Sequence, residues 1–95
     1  MLVDISVLEK ATSAVFQHLR ENGINSIDLD KDFYWNIEKE QKYDPYQEPT
    51  EMNLGQLADD LKEIEKIASG DGDVIGYALV WIAALYQYIG EANPG

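Results

Sequence analysis

Leu8, Ala11, Thr12, Val15 and Leu19 recur at three- and four-residue spacing, which puts them on one face of a helix over residues 4–22. Ile5 and Phe16 widen that face. Ser6 followed by Glu9 fits a capping box, in which hydroxyl and carboxylate satisfy the first free N–H groups of a helix. Asn22-Gly23 supplies the stop, because glycine takes the left-handed conformation without a Cβ clash. A second stripe, Leu54, Leu57, Ala58, Leu61, Ile64 and Ala68, predicts a helix over 53–69, capped by Asn53 with Gln56. Its outer face carries Asp59, Asp60, Lys62, Glu63, Glu65 and Lys66. The third run, VIGYALVWIAALYQYI from Val74 to Ile89, holds no charged residue. A helix apolar nearly all round sits at the centre of a core or between subunits. Asp73 is its expected N-cap, after a turn at Ser69-Gly-Asp-Gly-Asp73. Residues 93–95 read as a frayed tail, and the ordered core is expected over about 4–90.

No helical stripe persists between the first two helices. Ile27 and Leu29 alternate with aspartates, and Phe33-Tyr-Trp-Asn-Ile37 is an aromatic and β-branched run that predicts one short strand. Adjacent residues of an extended segment point to opposite faces. Trp35 is expected inward and Tyr34 outward, because tryptophan has more to gain from burial and a tyrosine hydroxyl needs a partner. Pro45 and Pro49 bias Asp44 and Glu48 away from helix. Residues 41–52 are therefore expected to be a surface loop, with Tyr43 and Tyr46 as its packing anchors. The fold class that follows is mainly α: one small domain of three helices, with a long irregular segment and one short strand between helices one and two.

Ninety-five residues make one domain, which buries roughly 60–65% of its unfolded surface. A 45% hydrophobic content and ten aromatics argue against disorder. The absence of cysteine excludes disulfides, thiolate catalysis and zinc–thiolate sites. A single histidine, His18, excludes a two-histidine metal site within one chain. The start MLVDISVLEK lacks the basic residues and long apolar run of a signal peptide, so a cytoplasmic location is expected. The net charge is −11, and −10 of it lies in residues 21–73. Such a chain repels nucleic acid and anionic lipid, and favours solubility or a basic partner.

The acidic run DLDKDFYWNIEKE, Asp28 to Glu40, resembles the opening of a calcium loop. Asp28, Asp30 and Asp32 fill its first, third and fifth positions. The sixth, which demands glycine, is Phe33, and the twelfth, which demands glutamate, is Lys39. No metal site is expected. The charge-free third helix is short for a bilayer and has acidic flanks, so no membrane span is expected. No catalytic site and no cofactor are expected either. Asp59 and Asp60 point about 100° apart on a helix, no serine sits in a nucleophile motif, and Gly70-Asp-Gly72 lacks the lysine of a phosphate loop. What remains is aromatics among carboxylates. Large aromatics anchor interfaces, and carboxylates around them select basic partners. The candidate partner-binding residues are Asp30, Asp32, Tyr34, Tyr43, Tyr46, Asp59 and Asp60. The competing reading is ordinary core and loop packing.

The pattern Leu29-Asp-x-Asp-Phe-Tyr-Trp-x-Ile37, Tyr43-Asp44, Glu48-Pro49 and Gly55-Gln-Leu-x-Asp-Asp60 resembles a group of small bacterial proteins of unknown function, over about residues 25–90. That resemblance implies a bacterial cytoplasmic protein and no catalytic or binding residue. The expectation is a non-enzymatic protein-interaction module with a basic protein as partner; small acidic immunity proteins that inhibit toxins are an analogy. The alternative is a small-ligand or metal-binding protein using the Asp28–Glu40 segment. A homodimer through helix three is expected unless Phe33 and Trp35 cover that helix.

Overall fold

A computed structural model describes residues 1–92, apart from the side chains of residues 73–75. The expected tail at 93–95 lies outside the described residues. The chain order is α1 (Ile5–Glu21), β1 (Phe33–Ile37), α2 (Lys39–Lys42), β2 (Met52–Gln56), α3 (Leu57–Ala68), a 3-10 helix (Gly72–Tyr77) and α4 (Ala78–Ala92). The structure is mainly α, as expected. It differs in detail: among the described residues, four α-helices replace three, and two antiparallel strands replace one.

The helix ends follow local chemistry. Gly23 stands at φ 80° after the Asn22 C-cap. Its N–H bonds the Arg20 carbonyl at 3.0 Å and the Ile24 N–H bonds Leu19 at 2.9 Å, the paired bonds of a Schellman stop. α3 ends the same way: Gly70 stands at φ 99°, its N–H bonds Ile67, and the Asp71 N–H bonds Lys66. The start of α1 departs from expectation. Its N-cap is Asp4 without a side-chain cap bond, and Ser6 lies inside the helix, so no capping box forms. Asp73 is likewise no N-cap of α4, because its backbone belongs to the 3-10 helix.

The second strand is the main correction. Residues 52–56 carry asparagine, glycine and glutamine, which have little intrinsic preference for a strand. Pairing with β1 decides their conformation, in the register Phe33↔Gln56, Trp35↔Leu54 and Ile37↔Met52. The expected second helix therefore starts at Leu57, and Asn53 lies in a strand instead of capping.

The same pairing reverses the expected facing of β1. Tyr34 points inward and is partly buried, while Phe33 is 62% and Trp35 68% exposed. Gly55 lies opposite Tyr34, and a Cβ added there would come under 3.0 Å from the tyrosine ring. The ring thus occupies the space that the glycine leaves. Tryptophan's larger burial gain does not decide the matter, because Asp60 accepts the Tyr34 hydroxyl on the inner side and Gly55 leaves room for the ring.

α3 packs on α4 and the 3-10 helix, with Leu57 and Ala78 the buried apolar residues among those described. α1 leans on the far end of α4 through an edge-on contact of Phe16 with Tyr86, ring centroids 5.3 Å apart. It buries no residue of its own.

Candidate functional site

Four of the seven candidate residues are engaged within the chain. The Tyr34 hydroxyl donates to Oδ2 of Asp60 at 2.6 Å, and Asp60 is only 8% exposed. Burial, followed by the hydrogen bond to Asp60 and its charge, holds the Tyr34 phenol far above its ordinary value. This bond joins the inner face of the sheet to the first turn of α3.

Asp32 caps α3 from a distance. Its Oδ1 accepts the Ala58 N–H at 2.9 Å, its Oδ2 accepts Gln56 Nε2 at 2.8 Å, and its carbonyl accepts the Leu57 N–H at 2.7 Å. Two N–H groups that a helix start leaves free, those of Leu57 and Ala58, are satisfied by a residue far back in the chain, 26 positions from Ala58. The Gln56 bond, then the Ala58 bond, lower the Asp32 carboxyl below its ordinary range. Asp30 exchanges two bonds with Tyr88 on α4. The Tyr88 hydroxyl donates to Asp30 Oδ1 and accepts the Asp30 N–H at 3.2 Å. The bond from Tyr88 lowers the Asp30 carboxyl and raises the phenol.

Asp30 and Asp32 thus serve different elements. Among the described residues, no group of three or more His, Asp or Glu side chains is placed to hold a metal ion. Also among the described residues, no helix is long and apolar enough to cross a membrane. Asp59 lies exposed on α3, beside Asp60 in sequence but not in orientation.

Tyr43 and Tyr46 are different. They do not anchor their loop by packing, because they are 79% and 93% exposed. Polar side chains tie the loop instead. Gln41 Oε1 accepts the Thr50 N–H at 2.7 Å and the Glu51 N–H at 2.9 Å, and Gln41 Nε2 donates to Thr50 Oγ1 at 3.2 Å. One side chain therefore closes both ends of the loop. Asp44 Oδ1 accepts the Tyr46 N–H at 3.1 Å, a turn held by its own aspartate. Asn53 Nδ2 donates to Glu38 Oε1 at 2.6 Å and binds the sheet to the base of α2. Lys42 Nζ stands 5.9 Å from the Tyr43 ring centroid, within cation–π range.

Sequence reasoning named the two tyrosines but missed Gln41, Thr50, Glu38 and Asn53, which hold their display. The only sequence signal was a loop bounded by an amide and a hydroxyl across two prolines, which is too common to single out. Comparison with protein-family models, curated proteins and solved structures finds no match to this chain.

Proposed function

We propose that this chain is a non-enzymatic interaction module that binds a basic protein through the loop carrying Tyr43 and Tyr46. The observation that carries this reading is the display itself: two tyrosines 79% and 93% exposed on a loop whose ends one side chain ties together. Ordering a loop before binding reduces the entropy lost on association. Tyrosine is a frequent hot-spot residue, with a large amphipathic surface and few torsions. Glu38, Glu40, Asp44, Glu48 and Glu51 surround the pair in sequence, against Lys39 and Lys42. Carboxylates at a rim raise the association rate of a basic partner and reject acidic ones. The resemblance to small bacterial proteins and the cysteine-free composition support a bacterial cytoplasmic setting.

The alternative, a ligand or metal site in Asp28–Glu40, has less support, because Asp30 and Asp32 turn to Tyr88 and to the start of α3. Calorimetric titration with calcium discriminates: no binding tighter than millimolar is expected, and a micromolar one-to-one isotherm abolished by Asp30→Asn would favour the alternative.

The direct test is capture from the native cell with the chain as bait. A basic protein should be retained, released by raised salt, and lost with the Tyr43→Ala/Tyr46→Ala pair. Both side chains are exposed, so circular dichroism of the double variant should match the parent. Retention unaffected by the double substitution would refute the loop as the binding surface.

A further inference from the structure

The chain exposes more surface than its mass accounts for. A compact monomer of its size shows about 5,500 Å² to water, whereas this one shows 8056 Å². The Cα radius of gyration is 15.2 Å, against about 12 Å for a compact chain of this length. The excess area is about 2,500 Å² per chain, or about 5,000 Å² for two copies. Obligate homodimers bury about 2,000–5,000 Å² in total. The excess therefore matches an interwoven dimer and is too large for a passing contact.

Two apolar parts of that surface complement each other. One is a groove of about 550 Å³ between β1 and α4, lined by Phe33, Trp35 and Ile37 on one side and by Leu79, Val80 and Ala83 on the other. Phe33 and Trp35 reach towards α4 without covering it, and Leu79 remains 79% exposed. The other is the N-terminal half of α1. Residues from Ala11 to Leu19 line clefts shared with Tyr86 and Ile89 near the end of α4. The turns before them overhang, with Leu2 at 99%, Ile5 at 67% and Leu8 at 50% exposure. Ile5 and Leu8 continue the apolar face of α1.

We propose that a second copy of this chain fills the groove, inserting the overhanging N-terminal half of its α1 between β1 and α4. The arrangement is reciprocal: each copy contributes one α1 and one groove, as a two-fold axis requires. Charge favours a second copy over a basic partner at this site. The groove's charged residues are Lys42 and Glu91, one of each sign. The overhang carries Asp4, Glu9 and Lys10. The middle of the chain, whose net charge would repel its own copy, supplies one wall of the groove but only one charged residue there, Lys42. Tyr43 also lines the groove, so the two surfaces meet at that residue and the Tyr46 side of the loop is left for another partner; Tyr46→Ala alone tests the loop, and Leu79→Glu alone tests the dimer.

Sedimentation equilibrium of the purified chain at micromolar concentration should give about twice 10.7 kDa. Leu79→Glu should weaken the dimer about a hundredfold or more, because it places an unpaired carboxylate in the apolar contact. Leu79 is exposed within one chain, so helical circular dichroism should survive. The natural chain has no cysteine, which permits a placement test. A mixture of Ile5→Cys and Leu79→Cys chains should form a disulfide heterodimer under mild oxidation. A wild-type mass of 10.7 kDa overturns the proposal. So does a dimer in which that mixture yields no heterodimeric disulfide, since α1 would then lie elsewhere.

Discussion

Tyr34 and Trp35 are neighbours with opposite fates, and the cause is one carboxylate. Asp60 is buried and bonded by Tyr34, so Tyr34→Phe leaves it without that donor. The expected loss is about 1–3 kcal/mol in urea unfolding. Trp35→Ala should cost less than about 1 kcal/mol in a Leu79→Glu background that holds the chain monomeric, because most of the indole is already in water. A larger loss for Trp35→Ala than for Tyr34→Phe would reverse the facing of β1. The Tyr34 phenol also sets an alkaline limit. Its folded pKa is raised, so its contribution is complete below the ordinary phenol value of about 10 and is lost as pH rises through the folded value. Phenolate absorbance should show Tyr34, Tyr86 and Tyr88 titrating above the ordinary range in the folded protein, with Tyr34 as the last step. Tyr34→Phe should remove that last step.

Elements in this chain are started and stopped by different means. Both Schellman stops are local, and each rests on a glycine with positive φ. The start of α3 is not local, since Asp32 reaches it from before β1. The Asp32 carboxyl is lowered. Its contribution is therefore complete above the ordinary carboxylate range and is lost as pH falls through the folded value. Asp32→Asn should flatten the acid side of a stability–pH curve while keeping an acceptor for the helix. Asp32→Ala should destabilise at neutral pH as well, and equal curves for parent and Asn variant would show that the charge at the cap is idle. β2 depends on Gly55 in a comparable way. Gly55→Ala drives a methyl into the Tyr34 ring, which can retreat only by giving up its hydrogen bond to Asp60. A cost of about 1–3 kcal/mol is expected, and Tyr34→Phe in the same chain should reduce it by freeing the ring.

The molecule carries a net charge of −11, with −10 of it in residues 21–73. The only ion pair between side chains among the described residues joins Lys66 to Glu63 at 3.2 Å, on the surface. Most of the charge is therefore self-repelling and exposed, and salt screens such repulsion over about 10 Å at 0.1 M. The melting temperature should rise from low to moderate salt, in chloride salts that bind no specific site. A fall on adding salt would mean that attractive pairs dominate. The melting temperature should also rise with protein concentration, because association stabilises the folded form by mass action.

Legible along the chain alone were the helical stripes of α1 and α3, the glycine stops, the loop at Pro45 and Pro49, and the absence of cysteine chemistry. These are set by periodicity, by a missing Cβ or by a fixed φ, all of which act within a few residues. Tertiary structure decided what depended on distant partners. β2 is a strand because β1 lies beside it, although its own residues do not favour one. Asp32 is a cap because the first turn of α3 presents its N–H groups there. Tyr34 turns inward because Asp60 waits on that side and Gly55 leaves room. The candidate residues divided accordingly: Asp30, Asp32, Tyr34 and Asp60 found partners within the chain, while Tyr43 and Tyr46 were held out to solvent by Gln41. A pattern of types along a chain fixes what each side chain is able to bond, and only the folded path brings the bonding group within reach.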